Sequence, residues 1–184
     1  MTESASALFD RACGPVASEA SFPRSFDMLG YFHGRTRGTG VFEDRFRTVR
    51  LRMAVDTFGQ WQGDAFVLSE LFRYADGRSL RRDWRIRKAG DGSLRATAAD
   101  IDGEAVGRFR GNGIAWRYRM NVQMKQRSTM LAFDDRMYLE PDGMVINVND
   151  ATKFGFRVGR LMLAFRRLDQ AALGAGPQPM ARPW

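Results

Sequence analysis

The sequence predicts an all-β domain: an antiparallel up-and-down barrel of about ten strands with a short helix in front of it. Three observations predict it. From Gly38 onward apolar and polar residues alternate with period two. Turn signals built from Gly, Asp and Asn recur about every ten residues. A meander this long would leave two unpaired edges as a flat sheet, and closure into a barrel removes them.

The 184 residues suit one domain with its own core. Residues 1–24 read as a flexible leader, 25–170 as the barrel, and 171–184, rich in Gly and Pro, as a disordered tail. A helical turn is expected over 25–32, with Ser25 as N-cap and Phe26 and Leu29 facing inward as a plug at the edge of the fold. Strands are expected near 39–47, 49–57, 64–74, 79–88, 93–101, 104–111, 114–125, 129–139, 144–149 and 156–167.

Register follows from the turns. Ala75, Asp76 and Gly77 suit a three-residue loop with the glycine in the left-handed position, so Phe72 faces Leu80, Glu70 faces Arg82, Leu68 faces Trp84 and Phe66 faces Ile86. Gly90, Asp91 and Gly92 repeat that chemistry and set Trp84 against Ala98 and Arg82 against Asp100. A two-residue hairpin at Asp102 and Gly103 puts Asp100 opposite Ala105 and Ala96 opposite Phe109. Another at Asn112 and Gly113 puts Phe109 opposite Trp116, Gly107 opposite Tyr118 and Ala105 opposite Met120. A turn at Gln126 and Arg127 continues the inner face through Leu131, Phe133, Asp135 and Met137. After Gly143 the register stays open between Asn147 and Asn149 inward or Ile146 and Val148 inward.

Composition narrows the chemistry. Apolar residues make up 44% of the chain and aromatics 12%, which is globular rather than disordered. No apolar run approaches the roughly 18 residues a membrane-spanning helix needs. The leader has no basic segment followed by an apolar one, so a cytoplasmic location is expected. Cys13 is the only cysteine, which removes an internal disulfide, and His33 is the only histidine, which removes any zinc site needing two imidazoles. No metal and no cofactor is expected. His33, just before Gly34, reads as a loop residue. The net charge is +8, and 26 of the 29 basic residues are arginine, which favours polyanions and anionic headgroups. No recognition helix or base-stacking motif is present, so no nucleic acid is expected as a partner.

The predicted register gathers an interior charged row, Glu70, Arg82 and Asp100, with Tyr118 and Asp135 one step away. Residues opposite one another in a ladder have Cβ atoms about 5 Å apart, so these groups reach each other. One arginine between two carboxylates is the minimum arrangement that offsets their desolvation. Two readings fit: an ion-pair network that holds strand register, or a polar patch in an apolar cavity where Arg82 engages a ligand carboxylate. Small residues Ala96, Ala98, Ala105 and Gly107 on the same face leave room for a cavity lined by Trp84, Phe109, Trp116, Tyr118 and Met120.

The order Gly40-x-Phe42-x-Asp44-Arg45-Phe46, Gly59-x-Trp61-x-Gly63, Leu68-x-Glu70-x-Phe72-x-Tyr74-x-Asp76-Gly77, Arg82-x-Trp84-x-Ile86, Ala98-x-Asp100, Trp116-x-Tyr118, Asp134-Asp135-x-Met137-Tyr138 and Lys153-Phe154-Gly155 resembles an uncharacterised bacterial domain family often described as lipoproteins. The resemblance spans about residues 30 to 167. It implies a calycin-like barrel, similar to lipocalins and fatty-acid-binding proteins, and a link to membrane-lipid modification. It also picks out Glu70, Arg82, Trp84, Asp100 and Tyr118. Two departures stand out: no lipoprotein signal precedes Cys13, and Arg136 stands where the family carries tryptophan.

Three functions follow as expectations. The first is binding of a hydrophobic, anionic small molecule such as a fatty acid or modified lipid, with Arg82 holding the head group. The second is an isomerase, cyclase or hydratase with Glu70 or Asp100 as general base and Tyr118 as acid. The third is a scaffold whose arginine-rich outer face binds an acidic partner or an anionic membrane surface. The sequence leaves the oligomeric state open and leans away from an enzyme.

Overall fold

The computed structural model describes residues 23–124 and 127–168. One short helix, α1 (Met28–Phe32), precedes ten strands: β1 (Gly34–Asp44), β2 (Val49–Gln62), β3 (Ala65–Tyr74), β4 (Ser79–Lys88), β5 (Leu94–Thr97), β6 (Ala105–Arg110), β7 (Gly113–Met124), β8 (Arg127–Leu139), β9 (Val145–Lys153) and β10 (Phe156–Arg167). Each strand pairs antiparallel with its neighbour in sequence, and β1 pairs with β10 to close the barrel. The expected all-β barrel with a short N-terminal helix is the fold.

The helix begins two residues later than expected, and its N-cap is Asp27 rather than Ser25. The Asp27 carboxylate accepts from the Gly30 amide at 3.1 Å, which satisfies one of the orphan donors of the first turn. The helix seals one end of the barrel. Phe26, Met28, Leu29, Tyr31 and Phe32 are all buried, the Tyr31 hydroxyl donates to the Phe165 carbonyl at 2.8 Å, and the Phe32 ring meets Phe165 edge-on at 5.4 Å. Backbone meets backbone closely there. A Cβ on Gly59 would lie 2.2 Å from the Phe32 carbonyl oxygen, so only glycine lets α1 settle against β2.

The register of β3 on β4 and of β4 on β5 is as the turns dictate: Glu70 pairs with Arg82, Leu68 with Trp84 and Ile86 with Ala96. Gly77, Gly92 and Gly143 each take positive φ, at 86°, 74° and 78°, as the last residue of the same three-residue turn. Beyond Thr97 the chain departs from expectation. Asp102 and Gly103 form no two-residue hairpin. Instead residues 98–104 leave the β4–β5 ladder and run against β7: the Asn121 amide donates to the Asp100 carbonyl, the Asp102 amide donates to Arg119, and Ile101 bridges Met120. Ala96 therefore pairs with Ala105, four residues out of the expected register.

The next turn lies at Gly111 and Asn112, one residue earlier than expected, because Gly111 takes the positive φ of 54°. Gly107 consequently pairs with Trp116, and Phe109 with Ile114. Met124 pairs with Arg127, so Arg127 belongs to β8 and not to the expected turn, whose other residue, Gln126, lies outside the described residues. Every shift is even, so the strand residues keep their expected faces; Ala98, in the segment that leaves the ladder after Thr97, lies outside instead of inside. In β9, Asn147 and Asn149 point inward with Val145 and Ala151, since Asp135 pairs with Asn149 and Phe133 with Ala151.

The two ends differ in packing. The large side chains Phe32, Phe66, Ile86, Leu94, Ile114 and Val145, each under 2% exposed or at it, all lie in the half sealed by α1. In the other half the inward-facing Phe42, Leu51, Tyr74, Trp84, Val122 and Leu161 pack on the core but stay partly exposed. The outside of the barrel is charged. Asp56 sits between Arg37 and Arg73, and Asp150 between Arg136 and Arg160. That polarity is the reverse of a membrane-spanning barrel, whose outer band is apolar. Among the described residues no helix is long and apolar enough to cross a membrane.

The leader and tail boundaries, with Cys13, lie almost wholly outside the described residues. His33 is exposed at the C-terminal end of α1.

Candidate functional site

Adjacent strands place Glu70 on β3 and Arg82 on β4 on one interior row, and the segment after β5 brings Asp100 up to the same guanidinium. Arg82 Nε and Nη2 donate to Asp100 Oδ2 at 3.0 and 2.8 Å, a two-point clamp on one carboxylate. Its Nη1 lies 3.8 Å from Glu70 Oε2, which accepts the Trp84 indole N–H at 3.0 Å. The Arg82 carbon also stands 5.7 Å from the ring centres of both Phe72 and Trp84. Arg82 is 12% exposed and Glu70 14%, but Asp100 is 30% exposed, because it sits beyond the end of the β4–β5 ladder. The expected row exists.

A second polar group lies deeper. The Tyr118 hydroxyl on β7 donates to Asp135 Oδ2 on β8 at 3.3 Å and accepts from Asn149 Nδ2 at 2.7 Å. Asn149 Nδ2 also reaches Asp135 Oδ2 at 3.1 Å, and Asn147 Nδ2 donates to Asp135 Oδ1. Asn149 Oδ1 is buried with no hydrogen-bond partner among the described residues. Trp84 links the two groups, since its indole bonds Glu70 and its ring meets Tyr118 edge-on at 5.6 Å. Phe133 stacks on the other side of Tyr118 at 5.1 Å.

The electrostatics follow from burial with few cations. Burial pushes the Glu70 carboxyl up, against the pull of Arg82 and the Trp84 N–H, and the Asp100 charge adds to the push. Burial works against the charge on Arg82, yet Glu70 and Asp100 outweigh it and hold the guanidinium above its ordinary value. Asp135 has no ion pair among the described residues. Burial, aided by the Glu70 charge, lifts it to about 7 in spite of hydrogen bonds from Asn147 and Tyr118. The same burial, with Asp135 beside it, raises Tyr118 well above the usual phenol range.

The structure thus brings together Glu70, Arg82, Trp84, Asp100, Tyr118 and Asp135 of the expected set. Trp116 and Met120 are buried on the same inner wall. Phe109 does not join them: it stands 42% exposed at the α1 end, where β6 runs out into the Gly111 turn. The small residues serve a different purpose from the one expected. A Cβ on Gly107 would meet the Trp116 ring at 2.8 Å, and Ala96 and Ala105 are fully packed, so they admit the tryptophan rather than leave space. Ala98 lies on the outer surface segment after β5 and helps to line a hollow of about 630 Å³ with Phe58, Val67, Ser69 and Arg81. That hollow is on the outside, away from the buried titratable groups.

Asn147 and Asn149 are the site residues that sequence reasoning did not resolve. The alternation of β9 offered two faces, and only pairing with Asp135 chooses between them. Residues 11–167 match a family model described as a protein of unknown function (DUF3833). The chain belongs to the DUF3833 family. The match takes in the whole of the barrel, and with it every residue of the DUF3833 site described above. No curated protein matches the chain.

Proposed function

We propose that this DUF3833 barrel binds a hydrophobic small molecule with an acidic head group, such as a fatty acid or modified acyl chain, in the half opposite α1. One observation carries the reading: Arg82 is enclosed by Phe72 and Trp84, yet its two-point partner is a carboxylate on an exposed segment. A ligand carboxylate can take the position of the Asp100 carboxylate on the same two N–H groups while Asp100 turns to solvent. The acyl chain then lies against the partly exposed Phe42, Leu51, Tyr74 and Leu161. Asn149 Oδ1 supplies an acceptor for a ligand hydroxyl or amide hydrogen deeper inside.

Calorimetric titration with oleate tests this. Wild type should bind, Arg82→Gln should lose about tenfold or more in affinity, since a charge-assisted two-point bond is removed, and Asp100→Asn should bind more tightly. If oleate binds Arg82→Gln as well as wild type, or if no lipid accompanies the purified protein in native mass spectrometry and oleate does not bind, the reading fails.

A second reading rests on Asp135, a buried carboxyl at about 7 hydrogen-bonded to a phenol. A base poised there suits proton transfer in an isomerase, cyclase or hydratase, with Asp135 as the group matched to neutral pH. Host lipid extract incubated with the protein and profiled by mass spectrometry should show a product that Asp135→Asn does not form. Equal conversion by that variant rules this reading out.

A further inference from the structure

The three most exposed large apolar residues among those described are Phe46, Phe154 and Phe156, at 71%, 89% and 78%. All three lie at one place. Phe46 is in the turn between β1 and β2, Phe154 in the turn between β9 and β10, and Phe156 opens β10; the pairing of β1 with β10 makes the two turns neighbours. Both turns stand at the end of the barrel opposite α1, the end at which Asp100 is exposed.

Basic residues straddle these rings. The Arg45 guanidinium lies over Phe46 at 4.6 Å and the Lys153 ammonium over Phe154 at 5.5 Å. Arg47 and Arg157, with Arg160 behind them, line a hollow of about 410 Å³ between the two turns, shared with Glu43, Asp44 and Met162. The arginines on the barrel wall are different, since Arg37, Arg73, Arg81, Arg117, Arg119 and Arg136 each face a carboxylate. Arg45, Arg47 and Lys153 have no ion pair among the described residues.

The backbone singles out the same two turns. Arg47 and Phe154, with φ of 63° and 52°, are the only non-glycine residues described in the left-handed region. Asparagine or glycine would fit either position with less strain, so a bulky aromatic and a long cation stand there against local preference.

We infer that these paired turns are a membrane-docking tip: Phe46, Phe154 and Phe156 enter the headgroup region of an anionic phospholipid bilayer, and Arg45, Arg47, Lys153 and Arg157 engage its phosphates. Aromatic side chains flanked by arginine and lysine are the composition that settles at such an interface, apolar rings at acyl depth and charges at the headgroups. The hollow beside Arg47 and Arg157 is where a lipid phosphate is received, Arg160 on its wall being held by Asp150. Docking turns the end bearing Asp100 and Arg82 toward the bilayer. The tip stands independently of whether the barrel interior holds a ligand.

Co-sedimentation of the full chain with vesicles tests the tip. Vesicles of phosphatidylcholine plus phosphatidylglycerol should pellet the protein at low salt, with binding reduced severalfold at high salt and on phosphatidylcholine alone. The variant Phe46→Ser, Phe154→Asn, Phe156→Ser should lose tenfold or more, and Arg45→Gln, Arg47→Asn, Lys153→Gln should lose the preference for phosphatidylglycerol. Arg81→Gln with Arg85→Gln on the wall should bind as wild type. Thermal melts no lower than that of wild type certify the fold, as all substituted groups are exposed. The tip is overturned if wild type ignores the anionic vesicles, if both tip variants bind like wild type, or if the wall variant weakens binding as much as they do.

Discussion

At the end sealed by α1, Phe32, Phe66 and Ile86 are at most 2% exposed, whereas at the opposite end Tyr74 and Trp84 remain partly exposed and Phe46, Phe154 and Phe156 project from the turns. The same ten strands build both ends. What differs is what covers them: a helix whose aromatic side chains fill the mouth at one end, and short turns carrying cations at the other. Stability is concentrated where packing is complete, and the groups with chemistry to offer lie from the middle of the barrel toward the other end. The polar side chains mark the change, with Asp135, Asn147 and Asn149 buried at mid-depth and Asp100 at the exposed end.

Substitutions at the two ends should therefore separate in size. Phe32→Ala removes the ring that meets Phe165 and should cost about 3–5 kcal/mol, read as a lower urea midpoint at unchanged slope. A loss under about 1 kcal/mol would mean that the sealed end is not the stable one.

The middle of the barrel gives the next largest effect, and it depends on pH. Asp135 stands at about 7 in the folded protein against an ordinary 3.8, so between those values the native state holds a proton that the unfolded chain has released. Stability then falls as pH rises from about 4 to about 7, by up to about 4 kcal/mol, and levels off above. Asp135→Asn should flatten most of that fall in urea midpoints measured across the range. Glu70, raised in the same direction by burial, adds a slope of the same sign that this variant leaves in place. A wild-type midpoint that climbs over this range would reverse the sign and break the account of Asp135 as buried without a cation.

The smallest effect belongs to the docking end. Phe154→Asn replaces a strained aromatic with a residue that accepts its left-handed φ, and should raise stability by about 0.5–1 kcal/mol while removing an exposed ring. A destabilised variant would show that Phe154 packs, and would weaken the contrast between the two ends.

Much of this was legible in the residues because turn chemistry is local. Gly77 and Gly92 take the left-handed conformation that their turns demand, and the pairing of Glu70 with Arg82 and of Leu68 with Trp84 follows from that alone. Errors arose where a turn signal was only one of two adjacent choices. Asn112 and Gly113 read as a hairpin as well as Gly111 and Asn112 do, and the chain uses the second. Asp102 and Gly103 form no hairpin, because residues 98–104 find backbone partners on β7 instead, a contact between segments that no local signal encodes. The side-chain period of two kept the strand residues on their expected faces, while Ala98, outside any strand, turned outward.

The sequence by itself determined the strand count, the closed antiparallel architecture and the interior row of Glu70, Arg82 and Asp100, since period-two alternation and glycine-bearing turns act within a few residues of one another. Only the tertiary structure decided that α1 seals one end, that Asn147 and Asn149 face Asp135, that Gly107 receives Trp116 instead of leaving space, and that the turns bearing Phe46 and Phe154 lie at the same end of neighbouring strands. Those facts depend on closure. Bringing β10 against β1 and β9 against β8 sets residues far apart in sequence side by side, and the burial that shifts Asp135 exists only once the ring is complete.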